Sequence, residues 1–444
     1  METAVLELPG SPVASGGPVV ARPTRPLPLG QLLNLSFYWL GLTAIWAGLD
    51  ATVLPKRMEQ MLGTRDAPLG LAIVVAAGVL MPILVQPTMG MISDHTTSRW
   101  GRRKPYIAIG AVLDVLLLLA LASSNTFLAL TICYVLLQLS SNLAQGPFQG
   151  YMPDLVPEAQ VGRASGLMGL MVVLGQVGGT FVASLGLGAM ANGEPASVAM
   201  FWPTVGLGLI ELLTAAVLLL RVDPGPTGLP REGRSWRRIA GAAWGRDVLH
   251  HRSFVWLVAS RLCFLAATGS VIRFALFFLT RSLGQSDAEA QSTINLALLA
   301  VVLPAAITVL PAARVSDRIG RKRVIWIACA IGGACMTGVA LAPSVAVGVL
   351  CLVPVGVAVG SFLSVDWALM TDIIPKASAG RYMGLSNMGT AMAGPVAAVA
   401  GGVAMWLVGG LDPAWGPRAA FLVATGFFVL CALLLRPVDP TPRD

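Results

Sequence analysis

Charge is what this chain lacks. Only 12% of its 444 residues are Asp, Glu, Lys or Arg, against 55% hydrophobic, and mean hydropathy is +0.75. A soluble chain of this length needs far more polar surface to cover itself, so a soluble globular fold is excluded. Histidine is nearly missing: His95, His250 and His251 are the three, and none adjoins a cluster of ligand-type residues. There is no Gly-rich phosphate loop bearing Lys, so an enzyme is not expected. The short alternating segments of a transmembrane β-barrel are absent too. The six cysteines (Cys133, Cys263, Cys329, Cys335, Cys351 and Cys431) sit inside apolar runs without metal-ligand spacing. They read as small buried thiols, and neither metal nor cofactor is expected.

What is present is apolar length. Runs of about 20 residues span about 30 Å of hydrocarbon as helix, and such runs recur from end to end. Residues 67–92 contain no Asp, Glu, Lys or Arg at all. Spans are expected near 33–54, 67–92, 105–123, 126–149, 164–189 and 199–220, then near 254–280, 290–312, 324–342, 344–370, 381–409 and 418–435. The expected fold is an all-α membrane protein of twelve transmembrane helices in two pseudo-symmetric six-helix bundles. Residues 1–30, rich in Pro and Gly, read as a disordered cytoplasmic tail rather than a secretory signal. The bundles are expected over 31–221 and 253–436, with a cytoplasmic linker at 222–252 and a second tail at 437–444.

Basic residues orient the chain. Of the loop residues, only Lys56, Arg57, Arg65, Arg281 and Arg418 fall on one face, whereas the tails, the linker and the other loops carry the rest. By the positive-inside rule both termini are cytoplasmic, in a multi-pass protein of the cell (inner or plasma) membrane. The net charge of +8 therefore needs no nucleic acid as partner; the partner is the bilayer.

A duplication is the strongest internal signal. Asp154-Leu-Val-Pro157, Gly162-Arg163 and Gly166 return 218 residues later as Asp372-Ile-Ile-Pro375, Gly380-Arg381 and Gly384. Ser93-Asp94 leads to Arg99-Trp-Gly101-Arg102-Arg103-Lys104, and Ser316-Asp317 leads to Arg318-Ile-Gly320-Arg321-Lys322-Arg323. Parallel repeats related by an axis along the membrane normal are a layout of secondary transporters.

These duplicated loops resemble the signature of the major facilitator superfamily. The longer first copy, Asp94-His-Thr-Thr-Ser-Arg99-Trp-Gly-Arg-Arg-Lys-Pro105, looks like the glycoside–cation symporter branch. Gln145-Gly-Pro147 and Asp366-Trp-Ala-Leu are similar to sucrose transporters. The resemblance covers nearly the whole chain beyond residue 30. It implies alternating access by two bundles and, in the symporters, an Asp at the place of Gln138 and an Arg at the place of Gln149. The acid there is thought to take the coupling proton; a glutamine cannot titrate. Coupling therefore stays open, and a coupling cation is a candidate partner only.

The loops themselves suggest a cytoplasmic gate. Asp94, Arg99, Arg102, Arg103, Asp154 and Arg163 in one half, with Asp317, Arg318, Arg321, Asp372 and Arg381 in the other, can form charge-assisted pairs. Such pairs are expected to link the halves when they close inside. Asp366, about 9 Å inside Asp372 along a helix, is a further gate candidate. Fixing topology is the plainer alternative role.

Polar groups inside spans are costly and usually face a cavity or a partner helix. Gln138, Asn142, Gln145 and Gln149 share one face of helix 4, and Trp39, Thr43, Trp46 and Asp50 share one of helix 1. With Gln176 and Arg261 these suit a neutral sugar-like ligand, the amides binding hydroxyls and an indole stacking on a ring. Interhelical hydrogen bonding is the bland alternative. Asp50 and Arg273 lie at similar depth and are candidates for coupling or an outer gate. The leading function is a secondary transporter of a small organic solute, with a sugar or glycoside as the class these side chains suit. The rivals are an exporter of drugs or metabolites with the same fold, and a non-transporting pigment or light-harvesting assembly factor.

Overall fold

The computed structural model describes residues 24–157, 160–225, 235–237, 251–373 and 379–439. Every regular element among them is helical. An apolar helical run covers 29–94, which at 1.5 Å per residue is roughly 100 Å, about three bilayer cores. It cannot be one span. The break falls at Gly63, where φ is 78° and the backbone is not helical. We therefore number α1 as 29–62 and α2 as 64–94.

The expected end of α1 near residue 54 is too early. Pro55 has no N–H with which to continue the helical ladder. A π turn at Leu49–Val53 absorbs the defect, the Leu54 N–H reaching back to the Leu49 carbonyl. The helix then continues two turns further and carries Lys56, Arg57 and Glu59 with it.

The remaining spans are α3 (Lys104–Ser123), α4 (Phe127–Gln149), α5 (Val161–Ala191), α6 (Phe201–Arg221), α7 (Arg252–Phe277), α8 (Asp287–Ile319), α9 (Arg321–Ala340), α10 (Val345–Ile373), α11 (Ala379–Gly409) and α12 (Trp415–Leu434). Within the first six, α1 packs on α5 and α6, and α3 on α4 and α6. Within the second six, α8 packs on α10, α9 on α10 and α12, and α7 on α11 and α12. The two sets meet along α2 with α11 and α5 with α8.

The repeat is visible atom by atom. Gly101 and Gly320 occupy equivalent loops and both have positive φ, 85° and 94°, which a side chain would strain. Lys104 at the start of α3 donates to the Leu219 and Val222 carbonyls at the end of α6, at 2.8 and 2.6 Å. Lys322 at the start of α9 donates to the Arg436 and Val438 carbonyls past α12, at 3.0 and 2.7 Å. Each lysine thus satisfies carbonyls that the end of a helix leaves without partners. Close helix approach repeats as well. A Cβ on Gly175 or Gly179 would strike α1, and one on Gly356 or Gly360 would strike α8.

Candidate functional site

A cavity of ≈ 250 Å³ opens where the halves meet. Its walls include Trp39, Thr43, Trp46 and Asp50 of α1, Gln145 of α4, Gln176 of α5, Arg273 of α7 and Gly394 of α11. The α1 stripe, Gln145 and Gln176 are thereby brought together. Gln138, Asn142, Gln149 and Arg261 are not part of that lining. Gln138 donates to the Tyr134 hydroxyl at 3.0 Å. Asn142 is buried and donates to the Gln138 backbone carbonyl at 2.6 Å. Arg261 is buried against Asp366 at 3.4 Å, inside the C-terminal bundle. Four-residue spacing places side chains on one face, but that face is wider than one cavity wall.

Gln86 of α2 is a polar residue that sequence reasoning missed. Its amide donates to Asn142 Oδ1 at 3.0 Å and to Gln145 Oε1 at 2.8 Å, tying α2 to the amide stripe of α4. A lone Gln between Pro82 and Pro87 in an uncharged run was the available signal. Trp46 meets Tyr134 edge-on at 6.1 Å, and Trp39 tilts against Phe148 at 5.5 Å, so both indoles are held. Thr43 spends its hydroxyl on the Trp39 carbonyl at 2.7 Å and has little left for a ligand.

Asp50 and Arg273 form an ion pair across the halves, and Arg273 also donates to the Gly394 carbonyl at 2.8 Å. Asp50 sits on the π turn of α1, a geometry frequent at functional sites. Beyond this pair the same end is closed by more contacts between halves. Lys56 pairs with Asp287 at 2.7 Å, Arg281 with Glu59 at 2.6 Å, and the Trp406 indole donates to Asp66 at 2.9 Å. Thr52 donates to Gln291 at 2.9 Å, and Thr180 to Asn295 at 3.1 Å. None of these residues other than Asp50 and Arg273 was expected as a gate.

At the opposite end Arg102 and Arg103 both bind Asp154, each at 2.5 Å, and Arg103 also binds Asp94 at 2.9 Å. Arg103 reaches Ser93 and the Pro147 carbonyl as well, both at 3.3 Å. Burial works against the Arg103 charge, yet Asp154 and Asp94 outweigh it and hold the guanidinium above its ordinary value. All of these partners belong to the N-terminal half. The short helix Tyr151–Leu155 that extends α4 carries Asp154 back to the start of α3, so the basic loop meets acids of its own half. Pairs across the halves are expected where they close at this end, and here the other end is the closed one. Arg99, Asp317 and Arg318 are exposed, Arg321 is half-buried, and Asp366 is engaged by Arg261. The side chains of Arg163, Asp372 and Arg381 lie outside the described residues.

The molecule is thus two repeated bundles with a cavity between them that carries polar side chains in its walls and is closed at one end. The Major Facilitator Superfamily matches over residues 32–398 and again over 262–444. The chain belongs to that superfamily. Human "Proton-associated sugar transporter A" is 33% identical over 176 residues, 35% of this chain and 23% of that protein. A sucrose transport protein of Oryza sativa subsp. japonica is 27% identical over 174 residues, 34% of this chain and 32% of that one. The matches thus span less than a third of each relative's length. A D-xylose-proton symporter structure superposes with TM-score 0.67 at 17% identity, covering 93% of this chain and 99% of that one. A nucleoside transporter superposes with TM-score 0.69 at 14% identity, covering 92% and 99%. At such identities the likeness establishes the fold, that of a multi-pass membrane protein.

Proposed function

We propose that this superfamily member is a secondary carrier that moves a small hydroxylated solute, a sugar or glycoside, by alternating access. The observation that carries this reading is the cavity between the halves, lined by Trp39, Trp46, Gln145, Gln176 and the Asp50–Arg273 pair, and bridged at one end by ion pairs. Amides and a charged pair suit several hydroxyls, and held indoles suit the apolar face of a ring. The sugar transporters among its relatives support the same class.

On the charge distribution along the sequence we place the termini and the Arg102 loop in the cytoplasm, in the cell membrane. The Lys56–Asp287 end then faces outward, and the described conformation is closed outside. The contacts that close the outer end are ones the carrier must break to admit solute from there. Equal solvent access to the cavity from both ends would argue against this assignment.

The experiment is a thermal-shift series of the purified protein against monosaccharides, disaccharides and aryl glycosides. A ligand that binds only the folded form at 100 times its Kd stabilises it by about 2.7 kcal/mol. The melting point should rise with one of these classes, and the rise should vanish in Gln145→Ala and Trp39→Ala. A rise only with amphipathic cations, insensitive to both variants, would replace the sugar reading with that of a drug exporter.

A further inference from the structure

The N-terminal bundle buries two carboxyl groups that the carrier reading does not use. Asp114 of α3 and Glu211 of α6 are both wholly inaccessible to solvent and within hydrogen-bonding reach of one another. Asp114 Oδ1 accepts from the Ser140 hydroxyl of α4, and Glu211 Oε1 accepts from the Tyr38 hydroxyl of α1 at 3.0 Å. The other oxygen of each, Asp114 Oδ2 and Glu211 Oε2, has no hydrogen-bond donor. The Ser141 hydroxyl, also buried, has no hydrogen-bond partner either.

Among the described residues no cation faces the pair. Between residues 105 and 220 the helices packed around it contain no Lys or Arg except Arg163 at the start of α5, and α1 contains none over 29–55. The titratable groups facing the dyad are each other and Tyr38; α4 contributes only Ser140 and Ser141, and α5 contributes none over 164–191. Two adjacent buried carboxylates without a counter-charge cannot both remain ionised, since each would pay the full cost of desolvation and repel the other.

We propose that Asp114 and Glu211 form a proton-binding site in which a proton taken from water is held as an O–H···O bridge between the two unpartnered oxygens. The bridge converts two orphan acceptors into a donor and an acceptor and removes one negative charge. The site sits on the back of α4, whose front carries Asn142 and Gln145, so gain or loss of the proton acts on the helix that lines the cavity. Like a carboxylic-acid dyad in solution chemistry, the pair titrates as a unit rather than as two separate acids.

Infrared difference spectroscopy of the purified protein tests this without any transport assay, so failure to find a carried solute leaves the result intact. At about pH 8, well above the ordinary carboxyl range, the wild type should still show the C=O band of a protonated carboxylic acid. Asp114→Asn and Glu211→Gln, which keep shape and hydrogen-bonding capacity, should each shift that band, because the remaining acid is still buried without a counter-charge. The double variant should lose it, whereas Asp50→Asn and Asp366→Asn should leave it in place. Sodium should leave the band unchanged. The site is overturned if the folded wild type shows no such band at that pH, if the band is unchanged in the single variants or survives the double variant, or if sodium abolishes it. A missing band in the folded wild type overturns the site even where a variant does not fold.

Discussion

The two ends of the molecule are rich in ion pairs, but they use them differently. At the Lys56 end, Lys56–Asp287 and Arg281–Glu59 run from one half to the other. At the Arg102 end, Arg102 and Arg103 bind Asp154 and Asp94 inside one half. A pair that crosses the halves is made or broken when they rock. One that stays inside a half is carried along unchanged. The first set is placed to bias a conformational equilibrium and the second to hold a bundle together, although both consist of Arg, Lys and carboxylates.

The largest effect should come from breaking the pairs inside the half. Asp154 is almost buried, with its side chain 7% exposed, and it neutralises two guanidiniums that are 4% and 5% exposed. Removing one partner of a buried pair costs about 3–5 kcal/mol because the other charge is left uncompensated. Asp154→Asn should therefore lower the thermal unfolding temperature strongly and reduce the folded yield. The distance distribution between halves in whatever folds should stay as in the wild type. A stable variant with a changed distance distribution would assign Asp154 to the gate instead.

A smaller effect should come from the two equivalent lysines. Lys104 and Lys322 each donate two hydrogen bonds to carbonyls at the end of one neighbouring helix. Hydrogen bonds to charged groups contribute about 1.5–3 kcal/mol where well buried, and exposure here reduces that. Lys104→Met and Lys322→Met should each destabilise by about 1 kcal/mol, by similar amounts, and nearly additively because the sites lie in different bundles. Chemical denaturation of the two single variants and the double variant in detergent measures this. A strongly unequal pair of effects would mean that the repeat preserves the sequence at these positions but not the work done there.

The contrast between the ends also marks how far the sequence could be read. The helices, the duplication and the family signature were legible because apolar length and repeated loops are local properties. The α1 stripe of Trp39, Thr43, Trp46 and Asp50 was legible for the same reason and does reach the cavity. Partner choice was not. Nothing in the spacing of Arg102, Arg103 and Asp154 says whether they meet within a half or across it; the turn of Tyr151–Leu155 decides that. Gln138 and Asn142 share a face with Gln145 but spend their amides on Tyr134 and on one another. Lys56 and Arg281 stood out only as charges on the sparsely basic face. Their partners, Asp287 and Glu59, are more than 200 residues away in each case. Asp114 and Glu211 each stand inside an apolar run, and their adjacency is a product of α3 packing on α6.

The smallest energetic effect should fall on the pairs across the halves, and it is the most informative one. Lys56 is 8% exposed, Asp287 31%, and Arg281 and Glu59 17% and 16%, so solvent screens these pairs more than those around Asp154. Pairs of this kind contribute about 0–1 kcal/mol each. Asp287→Asn alone and Glu59→Gln alone should each barely change the unfolding temperature, because Lys56 keeps Glu59 at 2.9 Å in the first and Asp287 at 2.7 Å in the second. A shift of about 1.4 kcal/mol between two conformations is nevertheless a tenfold change in their ratio. Spin labels placed at the Lys56 end, one on each half, should show a short distance in the wild type. In the double variant a second, longer population should grow by several-fold. Labels at the Arg102 end should show the opposite change, as a closed population appears there. Thr52–Gln291 and Thr180–Asn295 remain to hold the outer end, so the shift should be partial and should increase when Arg273→Lys weakens the pair with Asp50. An unchanged distance distribution in the folded double variant would show that closure rests on helix packing alone. The division of labour between the two ends would then fall with it.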